Sequence, residues 1–183
     1  VLGDESFYDS RRAVAGWKGY FLGGETPPLS ALIVDQAQGW PALSPPLLAA
    51  RVLRDALTRR GVTVAGRPGL GVAPTAATPL ASDTSDPLSA IVRHMNRESD
   101  NFYAEMLLKQ LAAAAGMRGT SAGGGRIVVA TMREAGIPVK GVRIVDGSGL
   151  SSLDRLTAAA LVSVLRAGAT DPTIKRAFVD SLA

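Results

Sequence analysis

The stretch RESDNFYAEMLLKQLAAAAG, residues 97 to 116, restricts the fold more than any other part of this 183-residue chain. From Phe102 to Ala115 the spacing is helical, and Phe102, Tyr103, Met106, Leu107, Leu108 and Leu111 cover much of the circumference. A helix apolar nearly all round has to be enclosed by other elements. Gly116 marks its end. Immediately before it stand Ser99, Asp100 and Asn101, residue types whose side-chain oxygens accept from the free N–H groups of a first helical turn. Beside an enclosed helix such a triplet lies next to the protein interior. Capping and a functional role are therefore both open, and they are compatible.

The rest of the chain reads as further helices joined by short apolar runs. PPLLAARVLRDALTRR, Pro45 to Arg60, has helical spacing through Leu48, Val52, Leu53 and Ala56. Its prolines suit the entry and Gly61 the stop. A second helix is predicted to begin with Asp86 as cap and Pro87 at the first position. Leu88, Ile91, Val92 and Met95 form its stripe, and it should stop near Glu98. SAGGGRIVVATMREAG predicts another helix, ending at Gly136 with Pro138 beyond; LTAAALVSVLRAG and DPTIKRAFVDSL complete the set. SALIVDQ (30 to 36), GVTVAG, LGVA, TPLASDTS and the VRIV of VRIVDGSGLSS are strand candidates. The expected fold class is α+β.

Composition removes several function classes. Hydrophobic residues make up 46% of the chain, enough for a core. No apolar run reaches the roughly 20 residues of a membrane span, and the N-terminus has no signal-peptide pattern. The chain does not start with Met, as expected of a processed product or an excised piece. Cysteine is absent, which excludes disulfides and thiolate ligands. His94 is the single histidine, leaving little scope for a histidine metal site or a Ser-His-Asp triad. Nucleophilic chemistry would need a lysine, tyrosine or carboxylate base. The net charge of +4 has no concentrated basic face behind it, since Arg11-Arg12, Arg59-Arg60 and Lys175-Arg176 are the only adjacent basic pairs and lie far apart in the chain. No nucleic-acid partner is expected.

Individual residues carry modest expectations. Lys109 reads as a snorkelling or paired surface lysine, His94 as a surface or partly buried structural residue, and Trp17 and Tyr20 as core. The GGGR of the SAGGGRIVVATMREAG helix lacks the Lys-Ser/Thr ending of a phosphate loop. Asp146, Ser148 and Ser151 sit in a G-S-G turn that lacks the G-x-S-x-G spacing and histidine partner of a hydrolase elbow.

SDN between two helices, followed some 45 residues later by DGSGLS (146 to 151), resembles the serine DD-peptidases. These are the penicillin-binding D-Ala-D-Ala carboxypeptidases and endopeptidases of the dacB type, whose signature is S-x-x-K, S-D-N and K-T-G. VLGDESFYD and SALIVDQ also look like that family, so the resemblance covers nearly the whole chain. It implies a mainly helical lobe of a DD-peptidase/β-lactamase-like catalytic domain over residues 36 to 183. Residues 1 to 35 would be part of an inserted β-rich domain and its return. It further implies acyl-enzyme chemistry on a peptidoglycan peptide ending in D-Ala-D-Ala, outside the cytoplasmic membrane, with no cofactor and no metal. β-Lactams would bind if the site were complete. Ser99 matches the serine that relays a proton, and Asn101 the amide that holds the substrate carbonyl. Asp146 and Ser148 are second-tier substrate-binding candidates near the site.

The departure from the family pattern is equally informative. S-x-x-K and K-T-G do not occur in these 183 residues, and none of Lys18, Lys109, Lys140 and Lys175 lies three residues after a serine. The expectation is a central fragment that is inactive alone and marginal in stability. A non-catalytic peptidoglycan-binding or scaffold protein is the alternative, and a paralogue with another nucleophile is a third reading.

Overall fold

The computed structural model describes residues 1–38 and 40–182. Six helices occupy the predicted segments: α2 (Pro45–Arg59), α3 (Leu88–Glu98), α4 (Asn101–Ala114), α5 (Ser121–Glu134), α6 (Ala158–Thr170) and α7 (Lys175–Leu182). A single turn, α1 (Phe21–Gly24), precedes them. Their ends follow local chemistry. Asp100, Thr120 and Thr157 each accept the backbone N–H three residues on, from Tyr103, Gly123 and Ala160. Gly61, Gly116 and Gly136 leave their helices at positive φ (82°, 72° and 70°), where a side chain would be strained. At α3 the cap differs from expectation. Pro87 itself takes the cap position in extended backbone, its carbonyl accepting from Ala90 and Ile91, and Asp86 makes no cap.

Strand structure among the described residues is far less than the apolar runs predict. Leu2–Gly3 (β1) pairs in parallel with Gly69–Leu70 (β2), and these form the one small sheet. SALIVDQ is not a strand. Ser30 Oγ donates to Glu5 and accepts from Leu32 N–H, a local turn, and Asp35, Gln36 and Ala37 all have positive φ. GVTVAG lies between the Gly61 and Gly66 turns, and TPLASDTS has no partner strand, leaving Leu80 96% exposed. VRIV makes only the bridge from Arg143 to Arg155, because Val145 N–H donates to the Asp154 side chain. The fold is thus mainly helical with a two-strand sheet, compatible with an α+β helical lobe.

Helices α4 and α5 pack closely at the glycine triplet. A Cβ on Gly124 would run into the Leu108 carbonyl, and one on Gly123 would meet Ala112 Cβ at 2.9 Å. The triplet therefore serves helix packing. Helix α7 lies along α3 and against α6, and Met132, Ile137 and Ala160 form an apolar core with Val128, Val139, Val142 and Ala167 around it.

Three expectations about burial are corrected. Helix α4 is not enclosed all round: Tyr103 and Leu111 are exposed, and the buried stripe is Glu105, Leu108, Lys109 and Ala112. Lys109 is accordingly a buried lysine, 1% exposed, held by Asp9 at 2.5 Å. Tyr20 is 65% exposed and does not belong to the core; Trp17 is half-buried.

Candidate active site

The SDN triplet forms the junction of α3 and α4. The Met95 carbonyl accepts from both Ser99 N–H and Asp100 N–H (3.0 Å for the latter), which closes α3. Ser99 adopts left-handed backbone (φ 53°, ψ 43°), a position glycine usually fills. A side chain there costs about 1 kcal/mol, so the turn is held by its surroundings. Asp100 uses one oxygen to cap α4 (Tyr103 N–H, 2.9 Å) and the other to accept from His94 Nε2 (3.2 Å). The His94 ring also lies 4.8 Å from that of Tyr103. Asp100 is therefore the cap, while Ser99 and Asn101 flank it.

Asn101 opens α4, and its Nδ2 donates to the Glu25 carbonyl at 3.0 Å. That carbonyl is presented by the turn around α1, where Phe21 O accepts from Glu25 N–H and Thr26 N–H, with Gly23 at φ 85°. Ser99, Asp100 and Asn101 line an open cleft of about 310 Å³ together with Gly23, Gly24 and Glu25. Glu25, Glu98 and Asp100 give it an acidic rim. The contribution of residues 23 to 25 is invisible in sequence except as a Gly-Gly turn signal.

Asp146 and Ser148 lie elsewhere. They line a second cavity of about 610 Å³, walled by Met95, Ala104, Leu107 and Leu156. The structure brings Ser99 and Asn101 into one cleft and does not bring Asp146 or Ser148 into it. What joins the two places is Glu105, one turn beyond Asn101 on α4 and 0% exposed. Its Oε1 accepts from Gly147 N–H (2.8 Å), Ser148 N–H (2.9 Å) and Ser148 Oγ (2.8 Å), and Oε2 from Ser121 Oγ (3.4 Å). Burial pushes the Glu105 carboxyl above its usual range, and the nearby Asp146 charge adds to this against the hydrogen bonds from Ser148 and Gly147. A carboxylate inside an otherwise apolar helix was the available signal for it.

Asp146 is itself a buried hub. Its Oδ2 accepts from Trp17 Nε1 (2.7 Å) and Ser151 N–H (2.6 Å), and its Oδ1 from Gly149 N–H (2.8 Å). Burial would raise its pKa, but hydrogen bonds from Asp154, Trp17 and the Gly149 and Ser151 amides hold it below the usual value. Asp154 is its counterpart, pushed up to about 6 by burial and by the neighbouring Asp146 carboxylate. Of the two carboxyls, Asp154 is the one that holds a proton more readily.

This pair makes stability depend on pH. An acid whose pKa is raised on folding stabilises fully below its unfolded value, and that contribution is lost as pH rises through about 6. Solvent screening at the partly exposed Asp154 trims the effect to about 1 kcal/mol. Asp154→Asn keeps the neutral form and a donor toward Asp146. Its stability relative to wild type should rise by about 1 kcal/mol between pH 4.5 and pH 7.5, read from urea midpoints. Glu105 is raised as well and keeps a slope of the same sign in both proteins. A difference that does not change with pH would refute the raised Asp154 carboxyl.

Lys109 lies two turns beyond Asn101, about 12 Å along the axis. Its ammonium donates to Asp9 (2.5 Å) and the Arg11 carbonyl (3.4 Å), so it is not placed to act on Ser99.

The family model described as D-Ala-D-Ala carboxypeptidase 3 (S13) matches residues 40–183. Carboxypeptidase DacB of Mycolicibacterium smegmatis is 33% identical over 189 residues, covering 98% of this chain and 40% of that protein. A D-alanyl-D-alanine carboxypeptidase of an Actinomadura species is 35% identical over 131 residues, covering 70% of this chain and 24% of that protein. The chain thus spans well under half the length of these curated relatives. With the match running from Trp40 through the SDN junction and the DGSG turn, the chain belongs to the D-Ala-D-Ala carboxypeptidase 3 (S13) family.

Proposed function

We propose that this chain is the central part of a serine-type D-Ala-D-Ala carboxypeptidase or endopeptidase acting on peptidoglycan stem peptides. The intact protein would work through an acyl-enzyme, bind penicillins, and act outside the cytoplasmic membrane. The observation that carries this reading is the shared cleft of Ser99 and Asn101 at the α3–α4 junction. Among the described residues the Ser99 side chain enters no hydrogen bond, and Ser99 is exposed, so its hydroxyl is free to pass a proton. Asn101 is anchored through one N–H to Glu25 O and keeps its second N–H and its Oδ1 for a substrate backbone. In this reading the attacking serine and its lysine base come from an S-x-x-K motif, and a K-T-G segment forms the opposite wall. Neither motif occurs in these residues.

Residues 36–183 are read as the catalytic-domain lobe and residues 1–35 as the return from an inserted β-rich domain. The bonds from Asp9 to Lys109, Trp17 to Asp146 and Glu25 to Asn101 support a return segment fastened to the lobe. Asp146 and Ser148 enter as near-site residues that hold the Gly147–Gly149 turn. No described helix is long and apolar enough to cross a membrane.

Fluorescent penicillin separates the readings. This chain alone should take no label, whereas the in-frame coding region extended to include S-x-x-K and K-T-G should label covalently. In the extended protein Ser99→Ala and Asn101→Ala should each slow labelling by about 100-fold. An extended protein that lacks both motifs and takes no label would favour the scaffold alternative. A covalent adduct on the 183-residue chain alone would overturn the proposal and point to another nucleophile.

A further inference from the structure

The one histidine of the chain stands beside the SDN turn and is bonded to its middle residue. A carboxylate only accepts, so His94 Nε2 carries the hydrogen toward Asp100 Oδ2. The other oxygen of Asp100 caps α4, and the same residue's N–H closes α3 on Met95. The imidazole also rests 4.8 Å from the Tyr103 ring, the residue whose amide Asp100 caps. Three contacts thus converge on one aspartate, and Ser99 and Asn101 are the residues on either side of it. Ser99 has the left-handed backbone that a serine adopts only when held there.

We propose that His94 is a positioning residue for this wall of the cleft: it clasps Asp100, and through Asp100 it holds Ser99 in its left-handed turn and Asn101 at the start of α4. The clasp is charge-dependent. An imidazolium binds a carboxylate more strongly than a neutral ring does. Protonation therefore tightens the turn. The facing groups are Asp100 from the junction and Tyr103 from α4. On its own helix Arg93, Arg97 and Glu98 are the neighbouring charges. Helix α7, packed along α3, adds Lys175, Arg176 and Asp180, of which Asp180 gives its carbonyl to Arg97. None of these is bonded to the His94 ring among the described residues, so the pH response runs through Asp100.

The significance of the clasp for catalysis rests on the proposed function, but its existence does not. Amide hydrogen exchange, corrected for intrinsic rates, reads it in the ligand-free 183-residue chain. Ring resonances of His94 define its titration. Below that midpoint the amides of Ser99, Asp100 and Tyr103 should gain about fivefold or more in protection relative to their values above it. His94→Gln should abolish the gain. Asp100→Asn keeps a capping side chain but no charge, so the three amides should no longer follow the His94 ring resonances. Protection that is the same on both sides of the midpoint overturns the proposal, as does a gain that persists in His94→Gln. Exchange that follows His94 in a protein whose extended form never labels with penicillin would leave the clasp standing and the enzymatic reading fallen.

Discussion

Glu105→Ala is expected to cost this chain about 3–5 kcal/mol, enough to remove most of the stability of an ordinary domain. The substitution leaves Gly147 N–H and Ser148 N–H without their acceptor in a half-buried turn and opens space on the buried face of α4. Each orphaned donor costs about 1–3 kcal/mol, and the deleted side chain adds to that. Glu105→Gln tests the same site with folding preserved. Its amide oxygen can still accept from both N–H groups, and it removes a carboxyl whose charged form burial already disfavours. It should stay within about 1 kcal/mol of wild type, and Ser148→Ala, which leaves both N–H bonds to Glu105 and deletes the hydroxyl's contacts to Glu105, Asp146 and Leu150 N–H, should cost about 1 kcal/mol. Urea unfolding followed by circular dichroism checks all three. An alanine variant within about 0.5 kcal/mol of wild type would show that the turn does not depend on Glu105.

The second large effect is at Lys109. Lys109→Met should destabilise by about 3–5 kcal/mol, because it strands the largely buried carboxylate of Asp9. The loss is in the partner left behind rather than in the ion pair itself. Adding Asp9→Asn to Lys109→Met should therefore recover at least about 1 kcal/mol, even though it removes a second native group. A double variant as unstable as the sum of the two singles would mean that the residues do not act as a pair. Among the described residues Asp9 receives nothing from α4 other than this lysine, while its own N–H donates to Gly119 O at 2.9 Å. Loosening it should free the N-terminal segment first.

The helices were legible because the signals that make them are short-range. Apolar spacing, the Thr120 and Thr157 caps and the Gly61, Gly116 and Gly136 stops all act within a few residues. Asp86 misled because Pro87 took the cap position it was expected to fill. The strand candidates failed for the opposite reason. A strand needs a partner, and SALIVDQ and VRIV instead have backbone N–H groups taken by the nearby Ser30 and Asp154 side chains. The SDN triplet was legible as a motif, and its resemblance to the serine DD-peptidases agrees with the family match. Its partner Glu25, some 76 residues upstream of Asn101, was not.

The all-round apolar helix that organised the sequence reading shows where such reading ends. By itself the sequence determined that a helix follows Asp100, that it ends before Gly116, and that no cysteine and no S-x-x-K accompanies it. Only the tertiary structure decided which side of that helix is inside, and it chose the side bearing Glu105 and Lys109 over Tyr103 and Leu111. The reason is that burial of charge is decided by partners and not by composition. The groups that make it affordable, Gly147 and Ser148 for Glu105 and Asp9 for Lys109, lie 42, 43 and 100 residues away along the chain.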